Sequence, residues 1–194
     1  MSTDASGQTG NVPSPVPFIK PGDRVLIDGG SGGVGTFAIQ FAKLAGAHVT
    51  TTCSGRNVER HLSQLKKQSE SAGPFNLIID NICNDFDLYW KMHTISKPKA
   101  KYMMVGWGPS LSCIDFIMQA TFTRGFLGGG HHQLQVFAAG NKTEEHGKIA
   151  TWIAEGKVKP VIDSKFLMED AVDAFRKLKS GRAGGKIVVE VAER

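Results

Sequence analysis

Gly30-Ser31-Gly32-Gly33-Val34-Gly35 fits the pattern G-x-G-x-x-G residue for residue. In a chain with 23 glycines the pattern alone is weak, and its surroundings give it weight. Arg24-Val25-Leu26-Ile27-Asp28 precedes it and is apolar on consecutive positions, as a strand covered on both faces must be. After it, Val34, Phe37, Ala38, Phe41, Ala42 and Ala45 recur at the spacing of one helix face, and Gly46 sits where a helix ends. Strand, glycine loop and helix in this order make an anion site. One glycine permits a tight turn, one lets backbone N–H groups reach a pyrophosphate, and one lets the helix pack close to the strand. The helix N-terminus adds unsatisfied donors and a partial positive charge. The alternative is a strand–helix turn that holds no ligand.

The end of the next strand chooses between dinucleotides. His48 to Cys53 is rich in β-branched residues and reads as that strand. An NAD site places an acid there to hold the ribose hydroxyls. Here Thr52-Cys53-Ser54-Gly55-Arg56-Asn57 offers hydroxyls, a guanidinium and an amide, with no acid before Glu59. Arg binds phosphate bidentately, so Ser54, Arg56 and Asn57 favour the 2′-phosphate of NADP(H) over NAD(H). Cys53 reads as a small half-buried residue rather than a reactive thiol. Cys53, Cys83 and Cys113 have no C-x-x-C spacing, and His131-His132 make no tight cluster with Cys113 or His146. Neither a disulfide framework nor a metal site is expected. Nothing matches a nucleophile elbow, a P-loop or a kinase motif.

The elements that must position these residues alternate along the chain. Helices are predicted over Asn57 to Gln68, Leu88 to Ile95, Ile114 to Ala120, Thr143 to Glu155 and Met168 to Lys179. Strands are predicted over Phe75 to Asp80, Lys101 to Gly106, Arg124 to Leu127 and Lys186 to Val191. Strands alternating with helices predict an α/β fold, a doubly wound parallel sheet of Rossmann type. The length of 194 residues, 41% hydrophobic and 21% charged, fits one globular domain. It excludes a mainly disordered chain, a collagen and a coiled coil. Residues 1–17 are polar and proline-bearing, and are expected to form a flexible tail before a domain spanning 18–194. The net charge of +5 is interspersed, apart from Lys97, Lys99 and Lys101 around Pro98, which read as a solvated turn rather than a nucleic-acid patch. No apolar run is long enough for a membrane, and the N-terminus shows no signal-peptide core, so a cytoplasmic protein is expected.

With these residues in hand, the chain resembles the medium-chain dehydrogenase/reductase superfamily. Within it the resemblance is to the zinc-independent quinone oxidoreductase branch, including zeta-crystallin and the reticulon-interacting oxidoreductases. The stretches that carry it are Lys20-Pro21-Gly22-Asp23-Arg24-Val25-Leu26-Ile27, the glycine loop through Thr36, Gly46-Ala47-His48-Val49-Thr50, Ile78-Ile79-Asp80-Asn81, Gly156 to Ile162, and Gly181 to Val188. The resemblance implies reduction of a quinone, enone or related carbonyl with NADPH. It implies that Ser31 to Val34 hold the pyrophosphate and that Asp80 and Asn81 lie near the ribose. Gly106, Trp107, Gly108, Phe126 and Leu127 would line the nicotinamide side.

The sequence departs from the family pattern in two places. It contains none of the GroES-like catalytic domain that precedes the nucleotide-binding domain, so no catalytic residue is assigned. Phe166 to Val191 would then lack their usual partner, which calls for a homo-oligomer or a companion chain. The stretch between Asn57 and Phe75 is also too short for the family's third strand. The sheet can still close if the second strand becomes its edge and Asn57 to Gln68 cross on the face opposite the first helix. A non-catalytic NADP(H)-binding module remains the alternative to an oxidoreductase.

Overall fold

The structure, a computed structural model, describes residues 18–53, 58–83, 86–106, 110–122, 133–137 and 143–192. Five strands form one parallel sheet: β1 (Arg24–Asp28), β2 (His48–Thr52), β3 (Phe75–Asp80), β4 (Ser96–Met104) and β5 (Gln133–Val136). Their order is β2-β1-β3-β4-β5. That is the doubly wound order 3-2-1-4-5-6 without its outermost third strand. Among the described residues β2 is therefore the sheet edge, as the short connection to Phe75 requires.

The alternation of side chains along β1 divides the core in two. Val25 and Ile27 face one side, where Leu77 and Ile79 of β3 meet Ala42 and Ala45 of α1 (Gly35–Leu44) and its C-terminus. Leu26 faces the other, with Ile78 and Tyr102. On that side lie Leu65 of α2 (Val58–Ala72), Tyr89 of α3 (Asp87–Lys91) and Phe116 of α4 (Leu111–Phe122). Val25, Leu26 and Ile27 are wholly buried, so each aliphatic side chain contributes about 1.5–3 kcal/mol of burial. The connection from β2 to β3 thus crosses opposite α1, as its length predicts. Gly46 ends α1 with a φ of 78°, a conformation that favours glycine.

Several boundaries differ from expectation. β4 begins at Ser96 rather than Lys101. Its register against β3 jumps from Phe75↔Ser96 to Leu77↔Lys101, so Lys97, Pro98 and Lys99 are accommodated in an exposed irregularity instead of a turn before the strand. The helix predicted from Leu88 is a short α3 followed by a 3-10 turn, Met92–Thr94. The strand predicted at Arg124 to Leu127 lies outside the described residues, and β5 runs over Gln133–Val136.

Beyond α5 (Thr143–Ala154) a smaller unit forms. β6 (Ile162–Leu167) pairs in parallel with β7 (Lys186–Glu190), and α6 (Ala171–Lys179) connects them. β6 was not anticipated from the sequence, and it gives β7 a partner within the chain. Polar and aromatic links tie this unit to α1. Gln40 donates to the Lys159 carbonyl at 3.0 Å and accepts from its N–H at 2.8 Å. Phe41 meets Trp152 at 5.6 Å between ring centroids. The outer face of α6 stays open: Val172, Phe175 and Leu178 are each about 60–70% exposed.

Candidate functional site

In a doubly wound sheet the ligand crevice lies beyond the carboxyl ends of the strands where their order reverses. Here that point is between β1 and β3. Asn81, just after β3, donates from its Nδ2 and its backbone N–H to the Asp28 carbonyl at the end of β1, at 3.0 and 3.3 Å. The Asn81 Oδ1 is buried without a partner. Gly106, after β4, packs against Asn81 so closely that a Cβ would strike the Asn81 carbonyl. These contacts bring the ends of β1, β3 and β4 together around one mouth.

The glycine loop crosses the β1 side of this mouth. Its glycines divide into two kinds. At Gly30 a Cβ would collide with Thr51 of β2, and at Gly35 with the Gly29 carbonyl and with Gly30 Cα at 2.6 Å. Those two hold the loop against the sheet. At Gly32 a Cβ would meet only the Gly29 carbonyl at an ordinary 3.5 Å. The tight turn itself falls at Gly29, with φ of 73°, one residue before the expected motif. Beyond it the N–H groups of Ser31, Gly33, Val34 and Gly35 have no acceptor among the described residues, whereas Thr36, Phe37 and Ala38 enter the helix pattern. Four unsatisfied donors at a helix start are a cradle for an anion.

A cation that sequence reasoning did not single out lies beside the loop. A Cβ at Gly33 would lie 3.1 Å from the Gly185 carbonyl and 3.4 Å from Lys186 Nζ. The Lys186 ammonium also sits 5.7 Å over the Phe37 ring. Lys186 was read only as the start of a strand, because its approach to the loop depends on how β7 returns to α1.

Asp80, at the end of β3, is buried in a hydrogen-bonded network. It is 1% exposed, and its carboxylate accepts from Tyr102 Oη at 2.6 Å and from the N–H groups of Ile82 and Cys83 at 2.9 and 2.8 Å. It pins the turn that carries Asn81. Burial, then the Asp80 charge, raises the Tyr102 phenol well above its ordinary range. The Cys83 thiol is pushed up to about 12 by burial, with the Asp80 charge adding to it. On β2, Thr52 Oγ1 donates to Asp28, and Thr51 Oγ1 to the Ile27 carbonyl at 2.9 Å. Cys53 is exposed beyond them rather than half-buried. Of the expected site residues, Ser54, Arg56, Asn57, Trp107, Phe126 and Leu127 lie outside the described residues. The structure brings Gly30 to Gly35, Asn81 and Gly106 to one mouth.

A family model described as zinc-binding dehydrogenase matches residues 49–189. The chain belongs to that family. It lies within the medium-chain dehydrogenase/reductase superfamily that the motifs resemble. Trans-enoyl reductase pgmF of Aspergillus terreus is 37% identical over 194 residues, covering 89% of this chain and 52% of that protein. The human protein named NAD(P)H oxidoreductase RTN4IP1, mitochondrial, is 32% identical, covering 88% of this chain and 48% of its own length. The solved quinone oxidoreductase of Coxiella burnetii superposes with a TM-score of 0.67 at 26% identity, over 90% of this chain and 54% of that one. The chain therefore spans about half the length of the relatives it matches. Among the described residues no three His, Cys, Asp or Glu side chains group to hold a metal ion. Among the same residues no helix is long and apolar enough to cross a membrane.

Proposed function

We propose that the chain binds NADP(H) across the glycine loop and forms the nucleotide-binding part of an oxidoreductase of the quinone or enone reductase type. The observation that carries this is the loop itself: four N–H groups with no acceptor among the described residues, a Gly32 whose added Cβ would meet only the Gly29 carbonyl at 3.5 Å, and the Lys186 ammonium close by. Those groups suit a pyrophosphate in charge and in donor geometry. The free Asn81 Oδ1 suits a ribose hydroxyl. Ser54, Arg56 and Asn57 would hold the 2′-phosphate, and Gly106, Trp107, Phe126 and Leu127 the nicotinamide side. When bound, the cofactor supplies a hydride from its nicotinamide C4 to an electron-poor carbon of a small carbonyl or quinone substrate. The relatives named for enoyl and quinone reduction support that substrate class. The catalytic groups would come from a GroES-like domain outside this sequence. The proposal keeps the cytoplasmic address, although the human relative is named mitochondrial.

One observation favours a second reading, a binding subunit beside another chain. The open apolar face of α6 at Val172, Phe175 and Leu178 has the character of a surface meant to be covered.

Calorimetric titration with NADPH and NADH tests the first reading. Wild type should prefer NADPH. Gly32→Ala should fold normally and bind about tenfold more weakly, because its methyl group obstructs the approach of the pyrophosphate. Arg56→Ala should weaken NADPH and leave NADH unchanged. A chain that binds neither dinucleotide would sink the proposal. Turnover of NADPH with a simple quinone would then separate an enzyme from a binding module.

A further inference from the structure

The β6–α6–β7 unit contains a polar network that neither the glycine motif nor the dinucleotide reading uses. It starts at an irregularity in β6. The β6–β7 register shifts between Ile162 and Ser164, so Asp163 is the extra residue of a bulge. A bulge re-aims the side chain it carries. The Asp163 carboxylate accepts the Gly184 N–H at 2.8 Å through Oδ1 and pairs with Lys177 Nζ of α6 at 2.6 Å through Oδ2. Its side chain is only 17% exposed, which sets this pair apart from the freely solvated Arg176–Asp173 and Lys165–Glu190 pairs.

The next two residues carry the consequence. Gly185 has a φ of 152°, and a Cβ there would lie 2.5 Å from the Val161 carbonyl. The Lys186 N–H donates to that same carbonyl at 2.7 Å. From this fixed turn the Gly185 carbonyl and the Lys186 side chain both face Gly33 of the glycine loop. Lys186 is long and flexible, with about 2 kcal/mol of rotamer entropy to lose on being held. An anchored backbone at its root lowers part of that cost.

We propose that Asp163 is a positioning residue for the dinucleotide phosphates, holding the Gly184-Gly185 turn so that Lys186 is delivered to the glycine loop. It rests on the reading that Lys186 faces those phosphates. Asp163 touches no ligand itself. It acts by joining α6, β6 and the root of β7 at a single carboxylate.

A double-mutant cycle on the full chain tests it, with NADPH affinity read by calorimetry and folding by near-UV circular dichroism. Asp163→Ala should weaken NADPH about five- to tenfold, comparable to Lys186→Ala. In the Lys186→Ala background the same substitution should change affinity by less than about twofold, because the route of its effect is already gone. Asp163→Asn retains an acceptor for Gly184 and should recover part of the loss, which keeps the test open if Asp163→Ala unfolds. Equal losses in both backgrounds would show that Asp163 acts on the fold generally and would overturn the proposal. So would an Asp163→Ala protein that binds like wild type while Lys186→Ala is weak, and that result would leave the cofactor reading standing. A Lys186→Ala protein that binds NADPH normally would overturn the phosphate role of Lys186 and the positioning role with it.

Discussion

The two turns that approach the same space are held by opposite means. The glycine loop after β1 is held by close packing: Gly30 against Thr51, and Gly35 against Gly29 and Gly30, at the end of a strand whose central residues Val25, Leu26 and Ile27 are wholly buried. The Gly184–Lys186 turn is held by one carboxylate, one carbonyl and a glycine, in a unit where, among the described residues, only Ala174 and Gly185 of residues 161–192 are buried. Close packing resists any added atom but is indifferent to charge. A polar anchorage fails when its charge is lost. Substitutions in the first region should therefore act on stability, and those in the second on placement.

The largest effect should come from breaking the packing of the loop. Gly35→Ala drives a Cβ into the Gly29 carbonyl and the Gly30 backbone, neither of which can step aside. We expect a loss of about 3 kcal/mol, read as a lower urea midpoint. Gly32→Ala, three residues away with only a 3.5 Å contact, should keep the wild-type midpoint. Equal losses at the two positions would end the division of the loop into packing and ligand glycines.

Next comes the buried polar pair beneath the mouth. Tyr102→Phe removes the hydroxyl that donates to the buried Asp80 carboxylate at 2.6 Å. A hydrogen bond to a charged group, with its partner left unsatisfied, is worth about 2 kcal/mol. The same measurement on Asp173→Ala, which breaks an exposed pair with Arg176, should show about 0.5 kcal/mol or less. A Tyr102→Phe protein as stable as wild type would mean that the Ile82 and Cys83 N–H groups alone satisfy Asp80.

This contrast also explains what was legible in the sequence. β1, the glycine loop and α1 declare themselves locally, because consecutive apolar residues and a fixed glycine spacing record burial within a few positions. β3 falls on its predicted bounds, Phe75–Asp80, for the same reason. The missing third strand was legible too, since chain length alone limits what can be built between Asn57 and Phe75. β6 was not: Ile162-Asp163-Ser164-Lys165-Phe166-Leu167 mixes charges with apolar residues because it is buried on neither face. The roles proposed for Lys186 and Asp163 were illegible, because they rest on contacts with Gly33 and Gly184 that no local pattern encodes.

A smaller effect concerns the thiols near the mouth. Cys83 stays protonated at ordinary pH, with its thiol pushed up to about 12, and Cys113 is buried. Cys53 is exposed at the end of β2, beside the stretch proposed to hold the 2′-phosphate. Iodoacetamide at pH 8 should label Cys53 first, by mass spectrometry of peptides, and NADPH should slow that labelling more than NADH. Labelling of Cys53 that ignores both dinucleotides would move the 2′-phosphate away from this strand end.

The smallest signal is the pH response of the polar anchorage. The hydrogen bond from Lys177, then that from the Gly184 N–H, holds the Asp163 carboxyl down at about 2, below its ordinary 3.8. A carboxyl depressed in the folded state contributes its stabilisation above the unfolded value and loses it as pH falls through the folded one. The anchorage should therefore be complete above about pH 4 and released only towards pH 2. In an NMR titration the Asp163 carboxyl and the Gly184 amide should move together with a midpoint near 2. If the Gly184 amide shifts with a midpoint near 4, the carboxylate is not holding that turn. Lys186 would then reach the glycine loop by the Val161 carbonyl and the Phe37 ring alone.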